Sequence, residues 1–291
     1  MNLNDSMRHQ EKMPEADFPV HIFYSSNRTG PGLFFHQQHW HEYIQFMYFT
    51  KGEAVIYCNA KPIQVGLNEL IVINSNELHY GKNLHYDLEF YCLKIDFTFL
   101  LSNYTDSCQT KYIAPLVQQL ILFKNKISSD PQILGCFRQI IDEYFKREPG
   151  FELAIKGYIF NLLALLFRGF VEKTFTEKEY LTKVMSFKRF HPILEFIENH
   201  FTEDICLTQL AKLANLSPAH FCRIFKKITG ESVTGYIHEL RISKAYSLLI
   251  ESDQNISEIA LECGFNDINY FSRLFKKYKL IAPSQVRRAR N

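Results

Sequence analysis

Phe221-Cys-Arg-Ile-Phe-Lys-Lys227 returns near the C-terminus as Phe271-Ser-Arg-Leu-Phe-Lys-Lys277, a shift of 50 residues. Upstream, Gln209-Leu-Ala211 matches Glu258-Ile-Ala260 at a shift of 49. Self-similarity at a fixed period indicates a duplicated supersecondary unit. Each copy predicts a helix, a short turn and a second helix, because apolar residues recur at helical spacing on both sides of the turn.

The residues that open these helices support two helix-turn-helix units. Ser217 is placed as the N-cap of the second helix in the first copy, and serine is a preferred residue there. In the second copy, Asn255 with Glu258 three residues later forms a capping-box pattern for the leading helix. Asn266 or Asp267 is placed to cap the helix that follows.

The second helix of each copy presents basic side chains outward. Phe221 and Phe225 lie at i and i+4 and face the core, whereas Arg223 falls about 200° around the helix at 3.6 residues per turn. A lysine pair follows, and the second copy repeats this geometry. An outward arginine with trailing lysines suits a helix in the major groove of DNA. A single copy fits a solvated helix end equally well, but the duplication favours DNA.

Length and composition bound the class of protein. The 291 residues predict two domains, with 46% hydrophobic and 22% charged residues, which excludes wholesale disorder and fibrous repeats. Net charge is +2, but residues 188–291 carry 15 Lys and Arg against 11 Asp and Glu, and residues 1–187 carry 18 against 20. The C-terminal third is therefore the basic part of the chain.

Localisation follows from what the sequence lacks. No apolar stretch approaches the roughly 20 residues of a membrane span, and the N-terminus has no apolar segment typical of a secretory signal. The seven cysteines are scattered and never form a C-x-x-C pair, which is typical of reduced thiols. We therefore expect a cytoplasmic protein without membrane association.

The N-terminal half predicts short strands separated by Gly- or Asn-containing turns, typical of an antiparallel sandwich or barrel. The predicted strands are His39–Phe49, Glu53–Cys58, Pro62–Val65, Leu70–Ile73 and Leu88–Phe97. After Tyr104 the spacing becomes helical, over Ala114–Phe123, Ile133–Phe145 and Phe151–Val171. The last of these is apolar almost all round, so it must be buried in its own domain, and a subunit contact is an additional prediction.

The C-terminal hundred residues, Arg189–Arg287, resemble the AraC/XylS family of bacterial transcription regulators. The matching motifs include Leu216-Ser217-Pro218, Arg241-Ile242-x-x-Ala245, Ile256-x-x-Ile259-Ala260 and Gly264-Phe265-x-Asp267. The resemblance implies two helix-turn-helix units joined by a long helix, here about Val233–Leu249. The implied DNA-binding residues are Ser217, Ala219, His220, Cys222, Arg223, Lys226 and Lys227, then Ile268, Asn269, Ser272, Arg273, Lys276 and Lys277.

The chain departs from the family pattern at a few positions. Leu280 stands where the family usually has Gly, Ala282 where it has Ser or Thr, and Val286 where it has Tyr or Phe. These positions follow the last recognition helix, so they put the packing of the final segment in doubt. Cys206 replaces the usual capping Ser before the first unit, which is expected to weaken that helix start by ~1 kcal/mol.

The N-terminal half resembles the cupin-like effector-binding domain of the same family, through His39-x-His41-x-x-x-Gln45, Gly52 and Asn74–His79. The resemblance implies an α+β protein: a cupin-like β-barrel over residues 1–110, a helical dimerisation region over 111–187 and an all-α DNA-binding domain over 188–291. The implied partners are double-stranded DNA, a small-molecule effector such as a sugar, and a second copy of the chain. RNA polymerase is a further candidate partner of an activator of this kind.

The histidines raise the question of a metal. In cupin enzymes, the pattern H-x-H-x-x-x-E and a later His bind a metal ion. Here His39, His41 and Gln45 share one face of the predicted strand, and His79 lies on another strand. Gln45 replaces the carboxylate and removes the anionic ligand. We therefore expect an effector pocket lined by His39, His41, Gln45 and His79, without metal or cofactor.

Three functions remain open on the sequence. The leading one is a regulator in which an effector in the barrel changes how the tandem units meet DNA. The others are a cupin-type metal enzyme with an accessory DNA-binding domain, and an effector-free DNA-binding protein. No Ser/His/Asp or Cys/His set occurs at a recognisable spacing, so no other enzyme is expected.

Overall fold

The computed structural model describes residues 18–28 and 34–290. The chain divides into two compact units, one that ends at Met185 and one that begins at Ser186. Within these described ranges, no helix is both long and apolar enough to cross a bilayer.

The first unit contains two large antiparallel sheets, in strand orders β1-β8-β3-β6-β10 and β2-β7-β4-β5. A third, two-stranded sheet pairs β11 with β9. The strands are β1 (Val20–Asn27), β2 (Phe34–His39), β3 (Ile44–Lys51), β4 (Ala54–Cys58), β5 (Lys61–Val65), β6 (Glu69–Ile73), β7 (His79–Asn83), β8 (Leu88–Ile95), β9 (Ile121–Phe123), β10 (Lys126–Ser128) and β11 (Val171–Thr174). The antiparallel-sheet domain that the sequence predicts is confirmed.

Strand β3 is buried on both faces, because it lies between two hydrophobic clusters. Met47 and Phe49 belong to the cluster shared by the two large sheets. Phe46 and Tyr48 point the other way, where helices α2 (Pro131–Lys146) and α3 (Phe151–Gly169) cover the five-stranded sheet. Helices and sheet thus share one core, in which Phe137 contacts the rings of both Phe46 and Tyr48.

Three predictions for the helical region need correction. Helix α3 ends at Gly169, and Val171–Thr174 forms a strand. The predicted helix Ala114–Phe123 is only a short helix α1 (Ala114–Val117), because the chain then enters strand β9. The strand β10 pairs with β6 of the large sheet, so the 111–187 segment contributes strands as well as helices.

The second unit is all helical, with α4 (Glu177–His200) crossing the boundary between the units. It continues as α5 (Leu207–Leu213), α6 (Pro218–Thr229), α7 (Val233–Glu251), α8 (Ile256–Glu262), α9 (Ile268–Lys279) and α10 (Pro283–Arg290). Two hydrophobic clusters form, one around Phe221 and Phe225 and one around Phe271 and Phe275. Helix α7 contributes to both, with Tyr236 in the first cluster and Ile242, Ala245 and Leu249 in the second.

Arg241, near the middle of α7, connects these two halves. Its guanidinium donates to the carbonyl oxygens of Phe201 (2.5 Å) and Glu203 (2.8 Å) in the loop after α4. It also donates to the carbonyl of Gly264 (2.6 Å) in the turn after α8. Gly264 has φ +84°, and a Cβ there would lie 2.3 Å from the carbonyl oxygen of Thr202. The α8–α9 turn therefore lies directly against the α4–α5 loop, and only glycine fits the contact.

The final segment packs despite its departures from the family pattern. Val286 is buried in the second cluster. The guanidinium of Arg287 donates to the carbonyls of Ser252 and Gln254 after α7. Leu280 occupies the left-handed C-cap of α9 with φ +61°, the role that Gly230 fills after α6. The departure at Leu280 is therefore a strained backbone position rather than a loss of packing.

Candidate functional site

Helix α6 displays its charged residues away from the core. Phe221 and Phe225 are fully buried, and the opposite face carries Arg223 with Lys226 and Lys227 at the helix end. Of the predicted DNA-binding residues on this helix, Ser217, Ala219, His220, Arg223, Lys226 and Lys227 are exposed and Cys222 is half-buried. Ser217 is the N-cap, but its hydroxyl makes no capping hydrogen bond among the described residues.

Helix α9 repeats this arrangement with a stronger start. Asp267, not Asn266, is the N-cap, and its carboxylate accepts from the amides of Asn269 (2.7 Å) and Tyr270 (3.1 Å). Arg273 is exposed, and its guanidinium carbon lies 5.5 Å from the centre of the Tyr270 ring, within the range of a cation–π contact. The other predicted residues, Ile268, Asn269, Lys276 and Lys277, are exposed, and Ser272 is half-buried.

The leading helices differ in their caps. Asn255 and Glu258 form the predicted capping box at α8. Cys206 is the N-cap of α5, and its Sγ lies 2.9 Å from the hydroxyl of Thr208. This contact, with the first-turn amides of Thr208 and Gln209, lowers the pKa of the exposed thiol.

The second candidate site is a group of histidines where β2 and β7 pair. His39 ends β2 and pairs with His79, the first residue of β7. Both side chains are almost completely buried, and their ring centres lie 4.1 Å apart. His41 joins them, with its ring centre 5.0 Å from that of His79.

The predicted shared strand face is wrong for these residues, because the chain turns after His39. His39 belongs to the four-stranded sheet, whereas Gln45 lies on β3 of the five-stranded sheet. His41, in the connection, nevertheless brings the two sides together: its Nε2 lies 3.0 Å from the amide Oε1 of Gln45. Its Nδ1 lies 2.9 Å from the carbonyl oxygen of Tyr43, which can only accept. The four residues predicted to line a pocket are thus neighbours, but they meet through the connection between two sheets and not along one strand face.

Sequence reasoning missed a further histidine of the group, His36. Its ring centre lies 4.2 Å from that of His39 and 5.6 Å from that of His79. On a regular strand, residues 36 and 39 would point to opposite faces. The pairing of β2 with β7 shifts register between them, and such a bulge places both rings on the same side. The H-x-x-H spacing is the only trace of this in the sequence, and it gives no sign of the bulge.

A polar network beside the histidine group fixes the orientation of His79. Its Nδ1 donates to the carbonyl oxygen of Glu77 at 2.8 Å. The buried carboxylate of Glu77 accepts in turn from the backbone amide of Asn74 and the side-chain amides of Asn125 (2.7 Å) and Asn59 (3.1 Å). Burial, followed by the neighbouring His41, His36 and Lys94, lowers the pKa of His79 well below its ordinary value. The Glu77 carbonyl can only accept, which places a proton on Nδ1 of His79, and the lowered pKa favours the neutral imidazole.

Two family models match the chain over these same two regions. The AraC-like ligand binding domain matches residues 23–163, which include the histidine group, and a helix-turn-helix domain matches residues 210–289, which include α6 and α9. The chain belongs to the AraC family. This AraC family protein is accordingly a DNA-binding transcriptional regulator with a ligand-binding domain, and the α+β architecture predicted from the sequence is confirmed.

Similar proteins are named as regulators. The regulator is 27% identical to the uncharacterized HTH-type transcriptional regulator YdeC of Bacillus subtilis, over 84% of each chain. It is 25% identical to the HTH-type transcriptional activator RhaS of Salmonella typhimurium, over 97% of this chain and 92% of that one. A solved C-terminal domain of the response regulator yesN from Fusobacterium nucleatum is 36% identical, covering 33% of this chain and 95% of that one, with a TM-score of 0.32.

Proposed function

We propose that α6 and α9 read the bases of one operator through Arg223 and Arg273, with the lysine pairs on the flanking phosphates. The exposed, repeated basic face is the observation that carries the proposal. The 19 residues of α7 span about 28 Å at 1.5 Å per residue. That length is close to the ~34 Å of one DNA turn, which suits two helices that enter successive major grooves on one face.

Binding to DNA selected from a random pool tests this directly. The logarithm of affinity should fall linearly with the logarithm of salt concentration, because phosphate contacts release counterions. Arg223→Ala should weaken specific binding by ~1–3 kcal/mol, whereas Lys212→Ala, an exposed lysine on α5, should have little effect. Equal losses in the two variants would refute the assignment of α6.

The N-terminal domain is proposed to bind a hydroxylated metabolite, a sugar or a related compound, among His39, His41, Gln45 and His79. Their imidazole and amide groups offer donors and acceptors inside the sheet domain, where they are buried. A ligand present at 100 times its Kd adds ~2.7 kcal/mol of stability, so a thermal-shift screen of metabolites detects it. A hit that changes operator affinity supports a ligand-controlled regulator. A screen without hits favours control by abundance alone.

We further propose a homodimer formed through the outer face of α3. Leu162 and Leu166 are buried in their own domain, so they are unsuitable for an interface. Leu153, on the opposite side, is 78% exposed, and Gly157 and Phe160 continue that face. Leu153→Glu should shift sedimentation from dimer to monomer without unfolding the protein, and a wild-type monomer at micromolar concentration would refute the dimer.

The relatives' names place the regulator among transcription factors, and we propose that it is not an enzyme. As the HTH-type relative RhaS is named an activator, contact with RNA polymerase at the promoter is part of the proposal. Because the partner is DNA, the proposed site of action is the cytoplasm. In vitro transcription from a plasmid that carries the selected operator tests activation: transcript levels should rise with wild-type protein and not with Arg223→Ala.

A further inference from the structure

Three imidazoles converge inside the ligand-binding domain, close to the separation that a metal ion requires. One ring nitrogen from each of His36, His39 and His79 lies within 4.8 Å of the other two. His39 and His79 are buried, and His36 is half-buried. Tetrahedral ligation at ~2.0–2.1 Å separates nitrogens by about 3.3 Å. Shifts of about 1.5 Å or less would therefore close the site.

His79 is prepared as a ligand by its own surroundings. Its Nδ1 proton is used by the carbonyl of Glu77, so the lone pair is on Nε2. That Nε2 is completely buried and makes no hydrogen bond to any residue the structure describes. A ligating histidine whose second nitrogen donates to a backbone carbonyl is the usual arrangement at protein metal sites.

His41 provides the contrast within the same group. Both of its ring nitrogens are engaged, Nδ1 by the carbonyl of Tyr43 and Nε2 by the side-chain amide of Gln45. Because the Tyr43 carbonyl oxygen and Gln45 Oε1 both accept, each contact uses a proton on the ring nitrogen, so His41 presents no lone pair to a metal. The sequence disfavours a metal because Gln45 replaces a carboxylate, but Gln45 contacts His41. The set in the structure has His36 in place of His41, beside His39 and His79.

We propose that His36, His39 and His79 bind one divalent transition-metal ion, of the class that prefers imidazole, such as Zn²⁺. Three neutral nitrogens leave a fourth position open. A divalent ion adds positive charge to this buried site, so it favours an ionised oxygen at that position. Resting on the proposed effector function, this narrows the ligand to hydroxylated metabolites that carry a carboxylate.

Metal content of the full-length protein tests the site. Protein stripped with a chelator and reloaded with Zn²⁺ should retain about one ion per chain after dialysis, measured by elemental analysis. Co²⁺ should give the visible absorption of a tetrahedral site. His79→Ala and His36→Gln should each weaken binding roughly tenfold or more, with circular dichroism checked for folding. If His79→Ala unfolds because His79 is buried, His36→Gln still tests the site, since His36 is only half-buried.

The matched control is His41→Ala, which should keep one ion per chain. Absence of stoichiometric Zn²⁺ in folded wild-type protein would overturn the proposal, as would loss of the ion in His41→Ala with retention in His36→Gln. Operator binding by the same samples is measured in parallel. If the reloaded protein holds no Zn²⁺ but still responds to a metabolite, only the metal site is refuted. If it holds Zn²⁺ but responds to no metabolite, only the effector function is refuted.

Discussion

Arg241→Ala should destabilise the DNA-binding unit selectively, because this side chain joins its two halves. The guanidinium donates to three carbonyls, those of Phe201, Glu203 and Gly264. Hydrogen bonds from a charged group contribute ~1.5–3 kcal/mol each, so three give at least about 4.5 kcal/mol before solvent is considered. Arg241 is half-exposed, and water can replace part of each bond. We therefore expect a loss of ~2–4 kcal/mol.

The position of the single tryptophan makes the assay specific. Trp40 is buried in the N-terminal unit, so its fluorescence follows that unit during urea unfolding. Far-UV circular dichroism follows the helices, most of which lie in the C-terminal unit. In Arg241→Ala the dichroism transition should move to lower urea while the Trp40 transition stays in place.

Two further variants separate the causes. Arg241→Lys keeps the charge but loses the planar fork that reaches three carbonyls, so it should lie between wild type and Arg241→Ala. Arg223→Ala, an exposed arginine, should lose DNA affinity with stability unchanged within ~0.5 kcal/mol. A change below ~0.5 kcal/mol in Arg241→Ala, or an equal shift of the Trp40 transition, would refute the reasoning.

The other predictions concern single residues of the same unit. Arg273→Ala should relax the preference for a base about 10 bp from the base that Arg223→Ala affects. Selecting binding sites with each variant measures this, and an effect of both variants on the same base pair would contradict two reading helices. Leu280→Gly should raise the free energy of unfolding by ~0.5–1 kcal/mol. A left-handed conformation costs an L-residue ~1–2 kcal/mol, and the greater entropy of glycine in the unfolded state offsets part of that gain. A lower midpoint in urea would contradict this prediction. Cys206 should be the first cysteine alkylated by iodoacetamide. Its alkylation rate should level off at a lower pH than that of an ordinary thiol, since its pKa is lowered mainly by the hydroxyl of Thr208. Mass spectrometry after short labelling checks the order, with Cys206→Ser as control. Cys263, whose pKa burial raises to about 12, should be among the last.

The C-terminal architecture was predictable because its signals are local. The capping box at Asn255 and Glu258, the outward Arg223 and the buried phenylalanines depend on residues within one or two helical turns of each other. What the sequence could not show is the contact between the α4–α5 loop and Gly264, which joins segments about 60 residues apart. In the sequence, Arg241 is recognisable only as part of a family motif, and nothing there shows that its guanidinium donates to backbone carbonyls.

The histidine group shows the opposite case, in which residues were correctly predicted to be neighbours but for a wrong reason. A period of two along one strand placed His39 and Gln45 together, yet the chain turns between them and the two residues lie in different sheets. They meet because His41 spans the connection. The same period excluded His36, since only a register shift in the β2–β7 pairing rotates it towards His79. Alternation along a strand is a reliable guide only while pairing stays regular, and bulges concentrate beside functional sites. A histidine that a bulge brings into a buried group is therefore the kind of residue that sequence periodicity overlooks, and the one whose substitution discriminates most sharply between a metal site and a metal-free pocket.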